Sequence, residues 1–198
     1  KVQNLSEADV RIEGTADARL GHRLSFGDDV TGDGEIDLLS TGLNVSDLSI
    51  MSGPDMTGTV TTTLSGDSLV DVFTYGKSIA TGDLDGDGQT DVVLGAPRVS
   101  FGGRLFGGTA AIYWGPISED AQIDAPDVEV WGPSSDAYLG RAVWVGDLDG
   151  DAQDDLLVGA HEARKSGTHV GMVSVIYGPL DTMGTGVIDS AIEDDTDI

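Results

Sequence analysis

Cysteine is absent from the 198 residues of this chain, so disulfide bonds and thiolate metal sites are excluded. Long apolar runs are absent as well, since none reaches the roughly 18 residues that a membrane-spanning helix needs, and we expect no membrane insertion. Positive charge is scarce: 10 Lys and Arg stand against 35 Asp and Glu, giving a net charge of −25. Such a surface repels phosphate backbones, so nucleic-acid partners are disfavoured.

Glycine is abundant instead, with 29 residues, and much of it belongs to a repeat. Three marks recur in one order: a Leu-Gly or Tyr-Gly pair, a nine-residue acidic loop, and a Gly-Pro pair. They fall at Leu20-Gly21, Asp29–Asp37 and Gly53-Pro54, then at Tyr75-Gly76, Asp83–Asp91 and Gly115-Pro116, and then at Leu139-Gly140, Asp147–Asp155 and Gly178-Pro179. The spacing indicates a tandem unit of about 60 residues.

Short apolar runs bounded by glycine surround each acidic loop, as β-strands do. They are Ile36–Leu39, Val92–Leu94 and Leu156–Val158 after the loops, Ala110–Trp114 and Met172–Tyr177 before Gly-Pro, Val10–Ile12, Val70–Phe73 and Val128–Trp131 before the next unit, and Gly140–Val145 before the third loop. No helical stripe of useful length occurs. The pattern predicts an all-β chain of β-propeller blades, each of four antiparallel strands.

The phase of the repeat predicts how the chain is divided. Residues 1–198 form a single partial propeller, in which 1–19 supply the last strand of a preceding blade. Repeats then occupy 20–74, 75–138 and 139–198. Propellers close with about 4–8 blades, so three are too few for a ring. The chain also begins at Lys1 without an initiator Met. We therefore expect a fragment whose missing blades lie in a longer parent chain, or one that self-associates.

The acidic loops carry oxygen-bearing side chains at positions 1, 3, 5 and 9, while position 7 offers a backbone carbonyl. The candidate metal ligands are Asp29, Thr31, Asp33, Glu35 and Asp37, then Asp83, Asp85, Asp87, Gln89 and Asp91, and then Asp147, Asp149, Asp151, Gln153 and Asp155. Calcium takes about 6–8 oxygen ligands, and magnesium prefers fewer protein ligands. The loops predict about three Ca²⁺ ions; ordinary Asp-Gly turns are the alternative.

The three loops are not equivalent. Thr31 replaces an Asp at position 3 of the first loop, which predicts weaker binding there. Ala152 stands at position 6 of the third loop, where the other two have Gly34 and Gly88. If position 6 needs a positive φ, that alanine costs about 1 kcal/mol.

The middle unit, with Tyr75-Gly76, Asp83–Asp91 and Gly95-Ala96-Pro97, resembles the FG-GAP repeats of integrin α-subunit propellers and their bacterial relatives. The third unit matches nearly as well but ends Gly159-Ala160-His161. The resemblance implies a calcium-stiffened propeller used for adhesion or ligand recognition, extracellular or at the cell surface. Its ligand would be a protein or a glycan. Integrin ligand contacts do not carry over, because no corresponding segment is found.

Other residues give little sign of catalysis, and we expect no enzymatic activity. No Ser/His/Asp spacing or nucleophile elbow is present, and the three histidines look like scattered surface residues: His22, His161 and His169. The tryptophans Trp114, Trp131 and Trp144 are expected in the core. The alternative functions are a structural propeller appended to a larger secreted enzyme and a chain that is itself a hydrolase.

Overall fold

The computed structural model describes residues 11–14, 19–43, 47–53, 62–64, 75–118, 121–180 and 186–189. Every regular element of three or more residues in these ranges is a strand. The strands are β1 Leu20–Phe26, β2 Leu38–Gly42, β3 Leu48–Met51, β4 Thr62–Leu64, β5 Ser78–Gly82, β6 Asp91–Ala96, β7 Thr109–Tyr113, β8 Val128–Trp131, β9 Ala142–Gly146, β10 Asp155–Ala160, β11 Arg164–Lys165, β12 Thr168–His169, β13 Met172–Ile176 and β14 Gly186–Asp189. Within those ranges no helix has the length and apolar character to span a bilayer.

The strands form antiparallel sheets that we call blades. Blade 1 has the order β1-β2-β3-β4, and blade 2 contains β5 to β8 in sequence order. The all-β prediction is therefore confirmed, as are the strand runs that flank the second and third loops. The run Val70–Phe73 lies outside the described residues, as does Val10, and residues 11–14 belong to no strand.

The third unit shows three of its predicted antiparallel strands within the described residues. Among the described residues, blade 3 consists of β13-β10-β9, while the hairpin β11-β12 forms a separate two-stranded sheet. The remaining strand, β14, pairs in parallel with the outer strand of blade 2, with Gly186 opposite Val128. The outer edge of β8 accepts β14, so β14 extends blade 2 rather than blade 3.

Two apolar cores lie between the blades. One packs Val30, Leu39 and Ile50 of blade 1 against blade 2 residues such as Val92 and Tyr113. The other packs the opposite face of blade 2 against blade 3 and includes Leu84, Ile112, Leu156 and Val158. Because alternate residues of a strand face opposite sides, β6 and β7 supply both cores, and β6 is buried throughout.

The second and third Gly-Pro segments each dock on the acidic loop of the blade before them. The Ile117 N–H donates to the Val30 carbonyl at 2.8 Å, and the Leu180 N–H donates to the Leu84 carbonyl at 2.7 Å. The two contacts join equivalent positions of successive repeats, since Val30 and Leu84 both occupy position 2 of their loops. The third mark of the repeat thus holds one blade to the next.

Candidate metal centres

Each acidic loop connects the first two strands of its blade: β1 to β2, β5 to β6, and β9 to β10. The strands fix both ends of a loop whose interior is held by its own carboxylates. In the second loop, Asp83 accepts the N–H groups of Gly86 and Gly88 at 2.8 and 3.0 Å. Asp29 and Asp147 accept the corresponding pair in the other two loops. The three loops therefore follow one backbone course.

The Asp at position 9 of each loop is buried and holds the loop by hydrogen bonds. Asp37, Asp91 and Asp155 are almost fully buried, and each accepts the N–H of the residue at position 2 at 2.8–2.9 Å. In blades 2 and 3 the second oxygen accepts the N–H of the Gly-Pro glycine, Gly115 or Gly178. A carboxylate oxygen has two lone-pair directions, so acceptor capacity for a cation remains.

Carboxylates converge in the second and third loops. One oxygen from each of Asp83, Asp85 and Asp91 lies within 4.8 Å of the others. Asp147, Asp149 and Asp151 form a second such group. Oxygens bound to one calcium at about 2.3–2.6 Å can be at most about 5 Å apart, so both groups fit that ion. The remaining members, Asp87 and Asp155, lie in the same loops but outside these groups.

Electrostatics in the converging groups favours a bound cation. Burial, together with the nearby Asp85 and Asp83 charges, raises the pKa of Asp91 to about 6, although two backbone N–H groups oppose the shift. Loss of hydration and then the neighbouring charge of Asp151 raise the pKa of Asp149. Like charges held together resist ionisation, and a divalent ion relieves that repulsion.

The first loop has the same backbone but no converging group of three carboxylates among the described residues. Thr31 turns to Ser52, with the two hydroxyl oxygens 3.3 Å apart. The buried Oδ1 of Asp37 has no hydrogen-bond partner among the described residues. Gly53, the counterpart of Gly115, has a φ of +90° and does not take that place. A cation would satisfy the orphaned oxygen, so this loop also fits a metal, with fewer charges.

Backbone conformation explains the glycines of the loops. Position 6 has a positive φ in all three, 89° at Gly34, 87° at Gly88 and 70° at Ala152. Position 6 therefore does need a positive φ, as the expectation for Ala152 assumed, and this conformation strains a residue that has a Cβ. At position 4, a Cβ on Gly86 would lie 2.9 Å from the Gln153 Oε1 of the next loop. The side chains of Gln153 and Gln89 thus reach the preceding loop, at Gly86 and Gly32. The carbonyl role of Glu35, Gln89 and Gln153 toward a metal stays a prediction.

Two acids outside the predicted ligands also join neighbouring loops. Asp154 accepts the N–H of Asp83 at 2.9 Å, and Asp28 accepts a short hydrogen bond from the Thr81 hydroxyl. The sequence carried no signal for either contact, because positions adjacent to the ligands vary from loop to loop. The first bond joins the third loop to the second, and the other joins the residue before the first loop to the end of β5.

Comparison with known proteins agrees with this geometry. The FG-GAP repeat profile matches residues 75–113 and 139–176, which contain the two loops with converging carboxylates. The chain carries FG-GAP repeats. The first unit is outside both matches, and the predicted division into 1–19, 20–74, 75–138 and 139–198 stays a prediction.

Several proteins similar to this chain are much longer than it is. Phosphatidylinositol-glycan-specific phospholipase D of Rattus norvegicus is 30% identical over 104 residues, covering 52% of this chain and 12% of that protein. Integrin alpha-PS2 of Drosophila melanogaster is 37% identical over 93 residues, covering 47% and 6%. Integrin alpha-5 of Xenopus laevis is 39% identical over 93 residues, covering 43% and 8%. The chain spans an eighth or less of the length of these relatives.

Proposed function

We propose that this chain is a calcium-binding FG-GAP module that recognises a ligand outside the cell or at its surface. The observation that carries the proposal is the pair of converging carboxylate groups at equivalent places in successive repeats. The similarity to integrin alpha subunits supports a recognition role over a catalytic one.

Calorimetric titration of calcium into chelator-treated protein tests the metal assignment. We expect about three ions, two bound more tightly than the third, because the first loop lacks one carboxylate. Extracellular calcium modules bind at about 10⁻⁴ to 10⁻³ M, which sets the range to search. The Asp87→Asn variant removes one charge of the second loop, and it should lose one of the tight sites while keeping the others. Saturable binding of fewer than two ions contradicts the proposal.

A second function is favoured by one finding: the phospholipase D relatives match only over a small part of a long chain. In that case this module is a structural propeller attached to a larger secreted enzyme. The two proposals make different predictions for the parent protein. A catalytic domain encoded beside this segment supports the second, and an adhesion-type architecture supports the first. If the isolated chain has hydrolase activity, and the Asp87→Ala variant keeps it, the non-enzymatic role is contradicted in both proposals.

We also propose that the array needs further blades or a second copy. Equivalent positions of blades 2 and 3 differ sharply in exposure: Leu84 is fully buried but Leu148 is 49% exposed, and Ala110 is fully buried but Val173 is 68% exposed. Trp144, expected in the core, is half exposed on this same blade, whereas Trp131 is buried. Repeat proteins cover such faces with the next unit. Light scattering that shows a stable monomer at high dilution argues against this.

A further inference from the structure

A cavity of about 640 Å³ opens at the opposite end of the strands from the acidic loops. Lys77 precedes β5 and Arg98 follows β6, while Arg141 precedes β9 and His161 follows β10. These strands have five or six residues, so about 17–20 Å separates the cavity from the loops. The cavity is therefore a different site from the candidate metal centres.

The charge of the cavity is opposite to that of the molecule. Its wall contains Lys77, Arg98, Arg141 and Arg164, which are four of the 10 Lys and Arg in a chain of net charge −25. Two acids also line it, Asp136 and Glu162. Glu162 is engaged by a histidine, with its Oε2 2.7 Å from His169 Nδ1. Positive charge is thus concentrated where a ligand would enter.

Within the part of the chain that the structure describes, the three arginines of the wall have no carboxylate partner. Arg98, Arg141 and Arg164 form no ion pair with a carboxylate among the described residues; Arg98 instead lies 5.5 Å from the centre of the Phe106 ring. Burial lowers the pKa of Lys77, and the charges of Arg23 and Arg141 lower it further. Arginines that carry no ion pair, placed beside a lysine, can bind an anionic group.

The surrounding surface limits the size of the anion. A long polyanion, such as a nucleic acid or an acidic polypeptide, would have to cross a surface that repels it. A ligand small enough to stay within the cavity meets a wall with four cations and two acids, one of them paired with a histidine. The volume is in the range of about 300–1,000 Å³ that is usual for small-molecule sites.

The rest of the wall suits a sugar. Tyr138 lines the cavity and stacks on Phe106, with ring centres 6.2 Å apart. Asp136 and His161 add acceptors and donors for hydroxyl groups. We propose that this cavity binds the acidic sugar residue of a saccharide through its carboxylate, sulfate or phosphate group. The proposal rests on the recognition function above and names the class of ligand.

The test is calorimetric titration in millimolar calcium with glucuronic acid, glucose 6-sulfate and glucose 6-phosphate, and with glucose as the uncharged probe. At least one acidic sugar should bind and glucose should not. The variant Arg98→Gln/Arg141→Gln/Arg164→Gln, whose three arginines are exposed, should lose at least about tenfold in affinity. Arg11→Gln is the matched control: Arg11 is an exposed arginine outside the cavity, paired with Glu13 at 2.6 Å.

Three results overturn the proposal: no acidic sugar binds, the triple variant binds as well as the wild type, or hexaglutamate binds more tightly than every sugar. Melting each protein with and without calcium keeps the two proposals apart. A calcium-dependent melting temperature without sugar binding refutes the cavity alone. Sugar binding without any effect of calcium refutes the metal assignment and leaves the cavity. The carboxylate, sulfate and phosphate arms identify which anionic group is preferred.

Discussion

The first and third loops share one backbone course and differ in the side chains that it carries. In the third, Asp147, Asp149 and Asp151 converge, whereas Thr31 turns away in the first and leaves fewer charges. Both loops nevertheless keep the hydrogen bonds that the carboxylates at positions 1 and 9 accept from backbone N–H groups. The backbone scaffold is thus independent of the number of charges that converge on it. The number of carboxylates should therefore set metal affinity without altering the fold of the loop.

Removing calcium should have the largest effect, because it acts on all three loops. With a Kd near 0.1 mM and about 1 mM calcium, each site stabilises the native state by roughly 1.4 kcal/mol, or about 4 kcal/mol for three. Since 1 kcal/mol shifts the midpoint by about 2–4 °C at this size, we expect chelation to lower the melting temperature by about 8–16 °C. Magnesium should restore little. Superimposable melting curves in calcium and in chelator would mean that the loops are ordinary acidic turns.

Single loop variants should divide that effect unequally. In calcium, Asp87→Ala and Asp151→Ala should each remove one site's share, about 1.4 kcal/mol. Asp33→Ala should remove less, because its loop starts with a weaker site. In excess chelator the three variants should melt close to the wild type, which is the internal control. Equal losses for all three in calcium would show that the loops bind equally and would break the comparison.

Thr31→Asp should make the first loop resemble the others. It adds the missing carboxylate at position 3, so we expect tighter calcium binding at this loop and a gain of about 1 kcal/mol in millimolar calcium. In chelator the added charge should instead destabilise slightly, through repulsion with Asp29 and Asp33. Calcium titrations followed by melting temperature measure both effects. A variant that is stabilised equally with and without calcium would contradict the metal explanation.

Ala152→Gly should have the smallest effect, and calcium should not change it. Relief of the left-handed strain at φ 70° contributes about 1–2 kcal/mol, and the more flexible unfolded chain takes back about 0.4–1. We expect a net stabilisation of about 0.5 kcal/mol, measured by denaturant unfolding. Gly88→Ala is the reverse substitution at the same place, where an added Cβ meets nothing within 4 Å, and it should destabilise by a similar amount.

Much of the strand arrangement could be predicted from sequence because it is local. Runs such as Val92–Leu94 and Leu156–Val158 lie within β6 and β10, and Val128–Trp131 coincides with β8. Alternation and glycine boundaries are enough to find strands that are buried on two faces. The strand β3 was missed, because the polar Ser49 interrupts its short apolar run.

Features that depend on distant residues could not be predicted in the same way. The cavity joins Lys77 of the second repeat with Arg141 and His169 of the third, and these residues carry no common motif. The three histidines looked scattered along the chain, yet His161 and His169 meet on either side of Glu162. The parallel pairing of β14 with β8 is likewise a choice between two sheet edges, about which local periodicity says nothing.

The hydrogen bonds from Ile117 to Val30 and from Leu180 to Leu84 give the loops a second consequence. In a linear array, cooperativity comes from the coupling between nearest neighbours as well as from the stability of each unit. A metal that orders position 2 of one loop also orders the acceptor on which the next repeat docks. Calcium should therefore act as a coupling agent: with it the repeats unfold together as one cooperative unit, and without it they separate into steps.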